Sequence, residues 1–207
     1  EGRSVQVTGT TDYAAMAGSH LVVVTAGLAR KPGMSRDDLL AANANIVGPI
    51  AEHIAHQAPE AIIIVVTNPL DVMTQLVLTQ GRLSRQRVIG MAGVLDSGRL
   101  QALVAQRLAV DPIQVQAMIL GSHGDLMVPL RNSMTVNGTP LNALLSASEI
   151  EQLLLRARDG GAEIVALLKQ SSAFYAPASG VVLMIQAVLR NERRVLPASI
   201  WLEGEYG

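Results

Sequence analysis

The chain is predicted to fold as an α/β protein, a doubly wound parallel sheet followed by an α+β part. Three observations carry that expectation. Residues 21–24, Leu-Val-Val-Val, and residues 61–66, Ala-Ile-Ile-Ile-Val-Val, are β-branched runs of the kind found in strands buried on both faces of a parallel sheet. Between them lies a long segment with helical spacing, which makes a βαβ unit. Beyond residue 111 the pattern changes, and Asn137-Gly138 is a favoured two-residue hairpin turn.

Taken in order, the first strand follows His20 and ends at Gly27. From residue 37 to 58, Leu39, Leu40, Ile46, Val47, Ile50 and Ile54 recur at helical spacing, with Ser35 to Asp38 as cap and early-turn acids and a bend expected at Gly48-Pro49. The second strand stops at Thr67-Asn68-Pro69, because proline cannot continue the ladder. A shorter helix over 70–79 ends before Gly81. A third strand over 87–93 leads into a helix over 96–108, so the alternation persists. After Asp111-Pro112, residues 115–120 read as a strand, and 130–136 with 139–141 as a hairpin. Helices are expected over 148–170 and 174–190, then a strand-like 200–202. A boundary near Val94 divides the chain into 1–94 and 95–207.

Composition excludes several function classes. Apolar residues make up 49% of the 207 and charged residues 16%, which is a packed globular chain and no solvating tail. The apolar runs fall short of the roughly 18 residues a bilayer crossing needs, so no membrane span is expected. Sixteen basic against seventeen acidic residues, with one Phe, one Trp and three Tyr, argue against nucleic acid as a partner. With no cysteine, neither disulfides nor thiolate metal clusters are available, and a cytoplasmic setting is the default expectation.

The strongest local signal is Gly121-Ser122-His123-Gly124-Asp125. Flanking glycines let backbone and ligand approach closely, and a histidine titrates near neutrality, which suits proton transfer. A turn histidine held by backbone is the plain alternative. Asp96, at a strand-to-helix junction, is an acid able to fix that imidazole's tautomer, or else an ordinary helix cap. Arg99, three residues on, shares its helix face and could hold a carboxylate bidentately. Arg30 and Arg36 flank a basic loop leaving the first strand, where open α/β sheets bind ligands. Asn68 ends the second strand with an amide able to meet a hydroxyl or an amide. His53 and His56 lie three apart, but no third ligand accompanies them and no metal is expected. Neither a Gly-x-Ser-x-Gly elbow nor a Walker loop occurs.

Four segments in order, 29–36 (Ala-Arg-Lys-Pro-Gly-Met-Ser-Arg), 67–71 (Thr-Asn-Pro-Leu-Asp), 88–99 (Val-Ile-Gly-Met-Ala-Gly-Val-Leu-Asp-Ser-Gly-Arg) and 121–125 (Gly-Ser-His-Gly-Asp), resemble the lactate and malate dehydrogenase superfamily. Residues 171–178 resemble the start of that family's substrate-side helix. The resemblance implies a Rossmann-type sheet, a catalytic second domain and NAD as cofactor. It implies His123 as proton donor and acceptor, Asp96 as its partner, Arg99 as the clamp on the carboxylate beside the reacting carbon, and Arg36 as the loop group polarising the carbonyl. It further implies Arg30 on a second carboxylate, which favours malate and oxaloacetate over lactate or another 2-hydroxy acid. Asn68 and Ser172 would face substrate. Ala26, Gly27, Asn43, Val66, Thr67 and Asn68 would meet the cofactor. A homodimer or homotetramer taking part in the tricarboxylic acid cycle is expected on the same ground.

The family's Gly-x-Gly-x-x-Gly phosphate turn is not found, since no two glycines here stand two apart. The resemblance places that turn and its first strands before Glu1, and a further strand and helix after Gly207. A chain lacking them would be expected to hold NAD weakly, to expose an apolar sheet edge, or to act only as an inert assembly fragment.

Overall fold

The computed structural model describes residues 6–29, 33–123, 126–169 and 173–206. β1 (Leu21–Val24), α1 (Arg36–Gln57), β2 (Ile62–Val65), α2 (Leu70–Gln80) and β3 (Val88–Gly90) alternate. The three strands form one parallel sheet in the order β1-β2-β3, with Val24, Val65 and Gly90 in register at its carboxyl end. β2 reads as a continuous apolar run because both its faces are covered. Ile63 and Val65 pack on Val47, Ala51 and Ile54 of α1 and Met73 and Val77 of α2, while Ile64 packs on the opposite side with Met91, Leu95 and Met184. β1 differs from the expectation of two-sided burial. It pairs with β2 alone among the described residues, and Leu21, Val22 and Val23 are only half-buried.

Ser35 starts α1 with a reciprocal cap: its Oγ accepts from the Asp38 N–H at 3.0 Å, and the Asp38 carboxylate accepts from the Ser35 N–H at 3.0 Å. The Ser35 hydroxyl, and then its N–H, hold the Asp38 carboxyl below the ordinary range. α1 runs unbroken through Pro49.

α3 (Gly93–Leu108) begins three residues before the expected start. It carries the chain into the second half and packs against both of that half's long helices. A Cβ at Gly93 would overlap the Ile119 carbonyl and the Pro197 ring, so the glycine that looked like a strand end is where the helix enters tightly packed surroundings. The expected strand over 115–120 is two short ones, β4 (Val115–Gln116) and β5 (Ile119–Gly121), with different partners. β5 forms a hairpin with β6 (Met127–Pro129), and β4 joins β7 (Thr135–Val136) and β8 (Thr139–Pro140) in a small antiparallel sheet. The 130–136 strand is thereby reduced to β7, preceded by a 3-10 turn. Asn137 (φ +49°) and Gly138 (φ +80°) make the tight turn their dipeptide predicts.

α4 (Leu141–Leu144), α5 (Ala147–Leu168) and α6 (Tyr175–Leu189) complete the order. A second core gathers Leu100 and Val104 of α3, Ile119, Met134, Leu141 and Leu154. The strand-like 200–202 segment is not a strand. Ser199 instead makes a single antiparallel bridge with Gly90, its N–H and carbonyl each bonded at 2.8–2.9 Å, after which Arg85 takes the Trp201 carbonyl and the carboxylates of Glu203 and Glu205. β3 ends at Gly90, so the pairing has nothing further to follow. Among the described residues, no helix is long and apolar enough to cross a membrane.

Candidate active site

Two loops leave the carboxyl ends of β1 and β2, and one buried asparagine ties them together. The Asn43 side chain, wholly buried in α1, accepts from the Leu28 N–H at 2.7 Å and donates to the carbonyls of Leu28 at 3.2 Å and Asn68 at 2.6 Å. Thr67 donates its hydroxyl to the Ala26 carbonyl at 2.6 Å. Gly27, at φ +147°, passes so close beneath that a Cβ would stand 2.6 Å from Thr67 Cγ2. Ala26, Gly27, Asn43 and Thr67 thus form the floor that fixes the loops, and Val66 and Asn68 are the members of this group that face the cleft.

His123 follows β5. Its Nδ1 lies 3.0 Å from Asp96 Oδ2, across 27 positions of sequence. Asp96 sits in the first turn of α3 at 2% exposure, and its carboxylate serves the imidazole and not the helix end. One turn on, Arg99 Nη1 lies 3.8 Å from Asp96 Oδ1, too far for a hydrogen bond. Asp96 Oδ1 and Arg99 Nε are buried and have no hydrogen-bond partner among the described residues. Burial pushes the Arg99 guanidinium below its ordinary range, and the negative charge of Asp96 opposes the fall. The result is a desolvated cation whose bonding capacity is unfilled, and a carboxylate would fill it.

Gly160 and Gly161 of α5 lie beside the Arg99 side chain. A Cβ on Gly161 would touch Arg99 Nη2 at 3.4 Å.

A cleft of about 760 Å³ opens between the sheet's carboxyl end and α3, α5 and α6. Thr25, Val66, Asn68, Arg99 and His123 line one side; Val165, Phe174, Pro177 and Val181 line the other. The structure therefore gathers His123, Asp96, Arg99, Asn68 and Val66, drawn from three separate stretches of sequence. Met91, Leu95 and Phe174 also line the cleft, which sequence does not reveal because an apolar residue in a wall looks like one in a core; Thr25 lines it too, at the end of the β1 run. Arg30 and Ser172 lie outside the described residues, as do Gly124, Asp125 and the side chain of Arg36. His53 stacks on Tyr13 with ring centroids 4.1 Å apart, and no cluster of three or more metal-ligating side chains occurs among the described residues.

Comparison with known proteins gives the family. Residues 2–90 match the family model for the lactate/malate dehydrogenase NAD binding domain, and residues 93–207 that for the lactate/malate dehydrogenase alpha/beta C-terminal domain. The chain is 55% identical over 202 residues to a malate dehydrogenase of Nostoc punctiforme, covering 98% of this chain and 62% of that protein. It is 52% identical over 206 residues to one of Methanosarcina mazei, covering 100% and 67%. It thus spans about three fifths to two thirds of these relatives' length. Among solved structures, malate dehydrogenase from Aeropyrum pernix superposes with a TM-score of 0.93 at 42% identity, covering 98% of this chain and 66% of that one. Lactate dehydrogenase from Eimeria maxima with NADH and oxamate gives 0.91 at 37% identity, covering 98% and 63%. Matched by two family models that together cover nearly every residue, the chain belongs to the lactate/malate dehydrogenase family.

Proposed function

We propose that the protein is an NAD-dependent oxidoreductase interconverting malate and oxaloacetate. The observation that carries this reading is a histidine held through Nδ1 by a buried aspartate at 3.0 Å, in one cleft with an unsatisfied buried arginine. The cleft sits at the carboxyl ends of parallel strands, the usual ligand position in open α/β sheets. Thr25, Val66 and Asn68 at that end, over the tightly packed Gly27, fit the nicotinamide half of the cofactor. When bound, NAD would supply the hydride acceptor or donor.

Each remaining role falls to a residue of the chain. Arg99 holds the carboxylate beside the reacting carbon, and because the guanidinium is already desolvated the new ion pair is only weakly screened. With Nδ1 occupied by Asp96, His123 handles the substrate hydroxyl proton through its other ring nitrogen: it takes the proton as malate is oxidised and returns it as oxaloacetate is reduced. Asp96 orients the ring and stabilises the imidazolium. Asn68 offers an amide to the substrate hydroxyl or the nicotinamide carboxamide. Val165, Phe174 and Val181 line the cleft with apolar surface. On the family resemblance, the remaining roles go to Arg36, which would polarise the carbonyl, to Arg30, which would bind the distal carboxylate and set malate against lactate, and to Ser172, which would meet the substrate. A cytoplasmic homodimer or homotetramer completes the reading, the oligomer being favoured by the exposed apolar side chains of Leu167 and Leu168 on α5 and Tyr175 on α6.

The test is His123→Asn. Turnover should fall by about three to four orders of magnitude while NADH binding, followed by fluorescence, is retained. Turnover within tenfold of wild type would remove His123 from the proton transfer.

A further inference from the structure

The turn that carries His123 has a second anchor besides Asp96. Ser122, immediately before the histidine, donates its hydroxyl to Asp71 Oδ2. The other oxygen of the same carboxylate, Oδ1, accepts from the Ser199 hydroxyl at 2.7 Å. Each of these three residues belongs to a different part of the cleft's frame. Asp71 is the second residue of α2, three positions after Asn68, whose amide faces the cleft. Ser199 is bound in both directions to Gly90, the last residue of β3, which leads into the helix that bears Asp96 and Arg99. One carboxylate therefore pins the turn after β5 to the loop after β2 and to the end of β3.

We propose that Asp71 is a positioning residue, which acts through Ser122 to fix the His123 turn against the Asn68 loop. The inference rests on the dehydrogenase reading for its effect on turnover, but not for the contact itself. Asp96 fixes the imidazole at one atom and leaves the turn free to pivot about it. Asp71 supplies a second fixed point one residue away, and two points define where the other ring nitrogen aims. A hydroxyl-to-carboxylate bond is charge-assisted and stronger than a neutral one. The plain alternative is an acid in the first turn of α2 that favours the helix dipole and does nothing more.

Asp71→Ala, Ser122→Ala and the double variant separate the two readings, with amide hydrogen exchange and steady-state kinetics measured on the intact protein. If Asp71 positions the turn, exchange at the Ser122 and His123 amides rises several-fold in both single variants. kcat then falls by about tenfold in each with the substrate KM nearly unchanged, and the double variant is no worse than Asp71→Ala alone, which already removes the Ser122 and Ser199 bonds. Asp71→Asn, which keeps an acceptor oxygen, recovers part of kcat. Faster exchange confined to α2, or additive losses in the double variant, would overturn the proposal. A wild-type protein without oxaloacetate turnover would refute the dehydrogenase reading alone, because the exchange comparison still decides whether Asp71 holds the turn.

Discussion

Asp96→Asn removes one charge and almost no volume from the centre of the site. The carboxylate is 2% exposed, with Oδ2 3.0 Å from His123 Nδ1, so the charges of an imidazolium and the carboxylate stand about 4 Å apart. At an effective dielectric constant of about 20, a pair at that separation interacts by about 4 kcal/mol. As malate is oxidised the imidazolium is forming, so this interaction is made in the transition state and is absent when the ring is neutral. An amide also lets the ring settle in the wrong tautomer. kcat for malate oxidation should therefore fall by about a thousandfold. Arg99 behaves differently. Among the described residues Asp96 is the anion paired with it, at 3.8 Å, and without it the buried guanidinium attracts a substrate carboxylate at least as strongly. KM for malate should hold or fall. Steady-state kinetics at saturating NAD, with circular dichroism to verify folding, measure both. A kcat within threefold of wild type, or a loss appearing mainly in KM, would refute the electrostatic argument.

Asn43→Leu keeps the branched shape of the side chain at the loop floor, adds some volume, and leaves the Leu28 N–H and the Asn68 carbonyl without their partner. It should destabilise the protein by about 3 kcal/mol and lower Tm by roughly 10 °C in a thermal melt; a shift under 2 °C would contradict the pinning role. Glu149→Gln tests an acid-sensitive tie between α5 and α3. The Ser146 N–H and hydroxyl, and then Arg107, hold the Glu149 carboxyl at about 2 against an ordinary 4.5. A carboxyl depressed on folding stabilises the fold above its unfolded pKa, and that contribution disappears as pH falls through the folded value. The difference in urea midpoint between wild type and variant should be full at pH 6 and close progressively between pH 4.5 and about 2. A difference independent of pH would contradict this.

Residues whose role follows from local pattern were legible in the sequence. β2 announced itself because an apolar run buried on two faces needs no polar interruption, and Asn137-Gly138 because both residues tolerate positive φ. His123 between two glycines, and Asp96 and Arg99 one helical turn apart, were legible as chemistry before any contact between them was known. What long-range packing decides was not legible. The β5–β6 hairpin has strands of three residues, too short for alternation to show. Residues 200–202 have the apolar content of a strand, but β3 ends at Gly90, whose bridge is to Ser199. Asn43 looks like any helical asparagine until the loops it bonds, 15 and 25 positions away, are brought over it. Asp71 likewise reads as a helix-start acid, because its serine partners are 51 and 128 residues distant.

The substrate is decided by comparing kcat/KM for oxaloacetate and pyruvate with NADH, in the wild-type protein and in Arg30→Gln. The account predicts a preference for oxaloacetate of at least a hundredfold in the wild type, shifted toward pyruvate by at least tenfold in the variant as the distal carboxylate loses its cation. Equal use of the two substrates by the wild type, or a ratio unmoved by Arg30→Gln, would contradict it.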